Sequence, residues 1–123
     1  MNGKGDWQFM NYGYSPTEKE ESNNKKPLKN KLQQHPLNMY HYLACCAPIE
    51  KLNLLEVGSG RGGGANYIAN NFQPNSIIGL DFSTSAIKLA KSIFNSPNLS
   101  YVEGNAMSLD FKSNHFDVII NVE

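Results

Sequence analysis

The chain has 123 residues and a formal net charge of zero at pH 7, which fits one small domain and argues against a dedicated nucleic-acid surface or a polybasic membrane face. Hydrophobic residues at 40% and aromatics at 11% suffice for a packed core, so wholesale disorder is excluded. No run approaches the roughly 20 apolar residues of a membrane span, the opening MNGKGDWQF lacks the apolar stretch of a signal peptide, and the chain reads as cytoplasmic.

Composition divides the chain near residue 50. Residues 1 to about 34 hold an aromatic patch, Trp7, Phe9, Tyr12 and Tyr14, then a polar, lysine-rich stretch without periodicity that reads as flexible linker. From Pro36, which suits a first helical turn, Met39, Tyr40, Leu43, Ala44 and Ala47 recur at helical spacing until Pro48 ends the pattern. Cys45 and Cys46 are adjacent, which excludes ordinary disulfide geometry, and they are too few to hold a metal alone; they read as small buried or half-buried side chains on that helix.

After residue 51 short apolar runs alternate with helical ones. A strand is expected at 52–57, then a glycine-dense loop and a helix over 64–72 with Ala65, Ile68, Ala69 and Phe72 on one side. A second strand follows at 76–81, and a helix with Ser83 as N-cap and Ala86, Ile87, Ala90 and Ile93 as its core stripe. Strands at 99–104 and 116–122 complete the series. This order is the grammar of an α/β fold: a Rossmann-like, doubly wound parallel sheet with right-handed crossovers.

Half of the ten glycines fall between Gly58 and Gly64. Gly58, Gly60 and Gly63 satisfy G-x-G-x-x-G, a weak signal alone but stronger between a strand and a helix, where glycines permit a tight turn and close approach of a ligand. No Gly-Lys-Ser/Thr closes the run, so a phosphate-binding P-loop is excluded. Asp81 stands about 20 residues further on, at the tip of the second strand, where a carboxylate can accept from both hydroxyls of a ribose or cap the next helix. Glu56 separates the cofactor classes. A pyrophosphate is bound by backbone N–H groups and a helix dipole, and an acid two positions before the first glycine would repel it. The same acid suits a cofactor with an ammonium, such as the amino-acid portion of S-adenosylmethionine. An NAD-linked oxidoreductase domain is the weaker enzymatic alternative.

Glu56-Val57-Gly58-Ser59-Gly60-Arg61-Gly62 resembles motif I of the class I S-adenosylmethionine-dependent methyltransferases, and Gly79-Leu80-Asp81-Phe82-Ser83 resembles their second-strand acidic motif. Glu103-Gly104-Asn105-Ala106 is similar to their adenine motif, and residues 116–123 to their fourth strand. More narrowly, Met10-Asn11-Tyr12-Gly13-Tyr14, Met39-Tyr40-His41, Gly62-Gly63-Gly64 and Asn121-Val122-Glu123 resemble the branch of phthiotriolone and phenolphthiotriolone dimycocerosate methyltransferases, whose relatives methylate sterols and other lipophilic small molecules. The resemblance implies that Glu56 favours the cofactor ammonium, that Gly58, Ser59 and Gly60 admit its methionine and ribose portions, and that Asp81 holds the ribose diol. It further implies that Phe82 covers adenine, that Asn105 accepts from the adenine amino group, and that the Ala106 N–H serves the ring. Asn105 stands where many relatives carry Asp, so it brings no charge. Arg61, in the loop, either meets the cofactor carboxylate or faces solvent, and is read first as facing solvent. Tyr12, Tyr14 and Tyr40 either close over the cofactor or pack the leading segment on the sheet.

Methyl transfer needs alignment of acceptor and methyl group more than a nucleophilic side chain, and no catalytic residue is assigned. His41, His115 or Glu123 could serve a hydroxyl acceptor as base, although each reads first as structural. Only four strands are found, so the chain is expected to be the cofactor-binding half, residues 51–123 behind a leader of 1–50, of a methyltransferase acting on a small lipophilic acceptor. A non-catalytic cofactor-binding remnant is the other alternative. The fourth strand, nearly all apolar, is expected to be buried on both faces in a complete sheet and to invite self-association if its edge is open.

Overall fold

The computed structural model describes residues 8–15, 17 and 33–122. Trp7, Glu123 and most of the expected linker lie outside the described residues. Among the described residues seven elements follow in the order α1 (Gln34–Cys45), β1 (Asn53–Val57), α2 (Gly63–Asn71), β2 (Ser76–Asp81), α3 (Thr84–Ile93), β3 (Leu99–Glu103) and β4 (Val118–Asn121). All four strands pair in parallel in the order β3-β2-β1-β4, bearing out the expected α/β sheet. The order turns back between β1 and β4, and in sheets of this kind the crevice at such a reversal, at the carboxyl ends of the strands, receives the ligand.

Register decides which side chains share a face, because successive residues of a strand point to opposite sides. Glu56 lies beside Gly79 of β2 and Ile120 of β4, and Gly79 in turn beside Tyr101 of β3. Leu54, Ile77, Tyr101 and Ile120 on this face join Tyr40, Ala44, Ala65, Ile68, Ile87 and Ala90 of the three helices in one buried cluster. The opposite face carries Leu55 and Leu80, both buried, together with Val102 and Ile119, which are exposed.

Local chemistry explains the boundaries. Pro36 stands inside the first turn of α1, where its missing N–H costs nothing, so the helix opens two residues earlier than the sequence suggests. Ser83 caps α3 as expected, its Oγ accepting from the Ala86 N–H at 3.3 Å. The α3 stripe is narrower than expected: Ile87 and Ala90 are buried, but Ile93, at the last turn, is 40% exposed. The fourth strand is likewise shorter than 116–122, and its Ile119 is 60% exposed. Among the described residues β4 pairs with β1 alone, leaving its other edge open. Cys45 and Cys46 are both exposed free thiols rather than buried ones, because α1 ends on the surface there. Among the described residues no helix is long and apolar enough to cross a membrane.

The leading segment packs against α1. Phe9 is buried against Tyr40 with ring centroids 5.7 Å apart, Tyr14 lies 4.8 Å from Tyr42, and the Tyr14 N–H donates to the His35 carbonyl at 2.8 Å. Tyr12 is fully exposed.

Candidate functional site

Beyond β1 the chain enters the glycine loop with left-handed backbone at Gly58, Gly60 and Gly62, at φ of 76°, 52° and 86°. The loop is held from below by β2 and β3. The Gly58 and Ser59 N–H groups donate to the Leu80 carbonyl at 2.8 and 3.0 Å, and the Tyr101 hydroxyl donates to the Gly62 carbonyl at 2.6 Å. Above the loop the space is open at one point: a Cβ added at Gly60 would meet nothing within 4 Å. A ligand can therefore approach the backbone there closely, which a side chain on this residue would prevent.

Glu56 lies in β1, two positions before the loop. It is completely buried, and neither carboxylate oxygen has a hydrogen-bond partner; the Ser59 Oγ, also buried, has none. Burial pushes the Glu56 carboxyl up to about 8, and the Asp81 charge adds to the rise; the Tyr40 hydroxyl and the Ala65 N–H face it and pull the other way without meeting hydrogen-bond geometry. Buried polar groups are almost always paired, so orphaned oxygens on two nearby residues at the sheet's carboxyl edge mark a place shaped for donors of a ligand. The consequence for stability has a definite sign. Glu56 keeps its proton in the folded chain to about 8 against an ordinary 4.5, so its contribution is full below the ordinary value and is lost as pH rises through 8.

Asp81 bridges loop and helix. Its Oδ2 accepts from the Gly60 N–H at 2.7 Å and its Oδ1 from the Ser83 N–H at 2.8 Å. The bond to the Ser83 N–H braces the residue that caps α3, so Asp81 itself is not the cap, and each of its carboxylate oxygens retains a lone pair for a further donor. Phe82, next along, is 80% exposed, an apolar ring at a strand tip with one face available for stacking. Asn105 accepts from the Met107 N–H through its Oδ1 at 2.9 Å, which fixes an Asx turn and leaves its amide group outward. Ala106 is exposed in the same turn.

A cleft runs between the glycine loop and the leading segment, lined by Phe9, Met10, Tyr40, Ser59, Gly60 and Arg61 among others. Tyr40 is the residue whose weight the motifs understated. It sits on α1, far in sequence from the loop, and its ring fills the place a side chain on Gly64 would take. Burial, followed by the neighbouring Glu56, pushes its phenol well above the ordinary range, so it stays a donor. Arg61 is half-buried and lines this cleft, which corrects its placement in solvent. His41 lies away from it, buried, with Nδ1 2.8 Å from the Tyr67 hydroxyl, and His115 stacks on Phe111. Neither is brought to the glycine loop.

Comparison with known proteins places this geometry. A family model described as "Methyltransferase domain" matches residues 54–123. The chain belongs to the methyltransferase domain family. It is 37% identical over 117 residues to the fatty-acid O-methyltransferase of Mycolicibacterium smegmatis, covering 94% of this chain and 41% of that protein. It is 40% identical over 87 residues to the phthiotriol/phenolphthiotriol dimycocerosates methyltransferase of Mycobacterium tuberculosis, covering 71% of this chain and 32% of that one. The chain thus spans less than half the length of these curated relatives. The crystal structure of an S-adenosylmethionine dependent methyltransferase from Mesorhizobium loti superposes with a TM-score of 0.58 at 19% identity, over 64% of this chain and 36% of that chain, a likeness of fold. The Rossmann-like fold read from the sequence is borne out, and the cofactor that the neighbour's name carries is S-adenosylmethionine. The residues present fit that cofactor: an unpaired buried carboxylate for its ammonium, an open Gly60 for close approach, and a strand-tip acid with free lone pairs.

Proposed function

We propose that this chain is the cofactor-binding half of a methyltransferase whose acceptor is a small lipophilic molecule methylated at oxygen. The observation that carries the cofactor half of this reading is the pair of orphaned groups, Glu56 and Ser59, at the β1 end and in the loop that holds the open Gly60. A buried carboxylate with no partner is costly unless a cation arrives to pair with it. An amino-acid ammonium supplies that cation and a dinucleotide's pyrophosphate does not. In this reading Gly58, Ser59 and Gly60 admit the methionine portion, Asp81 accepts from the ribose hydroxyls, and Phe82 lies against adenine while Asn105 and Ala106 serve its edge. The lipophilic oxygen acceptor rests on the names of the two relatives, a fatty-acid O-methyltransferase and a phthiotriol methyltransferase.

The bound cofactor supplies a methyl group made electrophilic by its sulfonium. This chain's residues bind and orient: Asp81 and Glu56 fix the two ends of the ligand, and the pinned loop between them sets its depth. Alignment of this kind can account for several powers of ten in rate, since near-attack geometry removes entropy from the barrier. Calorimetric titration tests the reading. S-adenosylhomocysteine is expected to bind in the micromolar range or tighter and NAD to give no measurable heat; preference for NAD, or no binding of either, would overturn it.

A further inference from the structure

We propose that Tyr40 is a cofactor-positioning residue: its hydroxyl turns to the Glu56 carboxylate when that group ionises to pair with the ligand's ammonium, so that cofactor binding releases a proton from Glu56. This rests on the cofactor reading above and deepens it at one residue that lies outside every glycine-loop motif.

The geometry assembles from four elements. Glu56 projects from β1 on the sheet face covered by the helices and is fully buried, with both oxygens unpaired. Facing it are Tyr40 from α1, Asp81 from the end of β2, Tyr101 from β3 and the Ala65 N–H from α2. Among these groups none is a cation. Asp81 disfavours a second negative charge, and Tyr101 has already committed its hydroxyl to the Gly62 carbonyl at 2.6 Å. The Ala65 N–H is a fixed backbone donor. Tyr40 is left as the side-chain donor that can turn to the carboxylate, and it stays protonated because burial and the Glu56 charge both oppose its ionisation. The position is enforced by packing: Phe9 lies on one side of the ring and Gly64, lacking a side chain, makes room on the other.

Such a carboxyl is held neutral in the free protein, with its proton retained to about 8. Arrival of an ammonium makes the charged form favourable, and the proton leaves to solvent. The Glu56 O–H bond breaks, its electron pair stays on the carboxylate, the proton bonds to water or a buffer base, and an ion pair replaces a neutral acid. Affinity for any ligand carrying that ammonium then rises with pH until Glu56 is ionised in the free protein as well.

The test compares S-adenosylhomocysteine with methylthioadenosine, which keeps adenine and ribose but has no ammonium. On the 123-residue chain, S-adenosylhomocysteine affinity is expected to rise by nearly tenfold per pH unit from pH 6 towards 8 and then level, while methylthioadenosine affinity stays flat. Calorimetry at pH 7 in buffers of different ionisation enthalpy is expected to count about one proton released per S-adenosylhomocysteine bound. Tyr40→Phe keeps the ring and removes the donor; it should bind S-adenosylhomocysteine about tenfold more weakly at pH 7, with the rise displaced to higher pH, and leave methylthioadenosine unchanged. Glu56→Gln should weaken S-adenosylhomocysteine and abolish its pH dependence. Zero proton release, an unshifted profile in Tyr40→Phe, or equal weakening of both ligands overturns the inference while leaving the cofactor reading standing. Failure of the unmodified chain to bind S-adenosylhomocysteine overturns both.

Discussion

Replacing Asp81 with alanine is expected to weaken S-adenosylhomocysteine binding by about a hundredfold, roughly the worth of one or two hydrogen bonds to a charged acceptor. Two losses combine. The ribose hydroxyls lose the acceptor at the tip of β2, and the Gly60 N–H, 2.7 Å from Oδ2, loses the group that holds the loop in its open form. The Ser83 N–H loses its partner too, so thermal stability should fall modestly, by about 1 kcal/mol. Asp81→Asn keeps one oxygen acceptor and should fall between. Calorimetric titration of the three proteins checks the order; alanine and wild type binding alike would remove Asp81 from the site.

Gly64→Ala is expected to destabilise the fold by about 3 kcal/mol, the upper end for overpacking a tight core. In most helices the same change stabilises, by up to about 1 kcal/mol, because alanine is the better helix former. Here the added Cβ would overlap the Tyr40 ring, which cannot retreat because Phe9 packs against it. A double-mutant cycle isolates the cause. In a Tyr40→Ala background the Gly64→Ala cost should vanish or reverse, whereas an unchanged cost in urea unfolding would place the collision elsewhere. The same contact shows why three successive glycines follow Arg61: an added Cβ at Gly62 would run into Tyr101, one at Gly63 into Gln8, and one at Gly64 into Tyr40.

Much of the fold could be read from pattern because its elements are locally consistent. The apolar runs Asn53–Val57 and Ser76–Asp81 are strands, Ser83 caps the helix it precedes, and the glycine loop connects strand to helix where motif spacing puts it. The placement of Glu56, Asp81 and the glycines together was legible for the same reason: each lies at a strand end or in the loop that follows, positions fixed by the period of the sheet. What escaped was tertiary. The burial of Glu56 without a partner depends on the register that sets it beside Gly79 and Ile120. The approach of Tyr40 depends on how α1 crosses onto α2, and no spacing rule reaches across the intervening chain. Exposure of Ile93 was missed because an apolar run reports capacity for burial, while the neighbours decide whether it occurs. Exposure of Cys45 and Cys46 followed from the end of α1, a boundary that sequence periodicity locates only to within a few residues.

The most direct test of the central claim is a map of backbone amide shifts during titration with S-adenosylhomocysteine. Saturable changes are expected to concentrate at Glu56 to Gly60, Asp81, Phe82, Asn105 and Ala106, with Tyr40 the one strong response from α1. Changes confined to other surfaces, or none at saturating ligand, would contradict it.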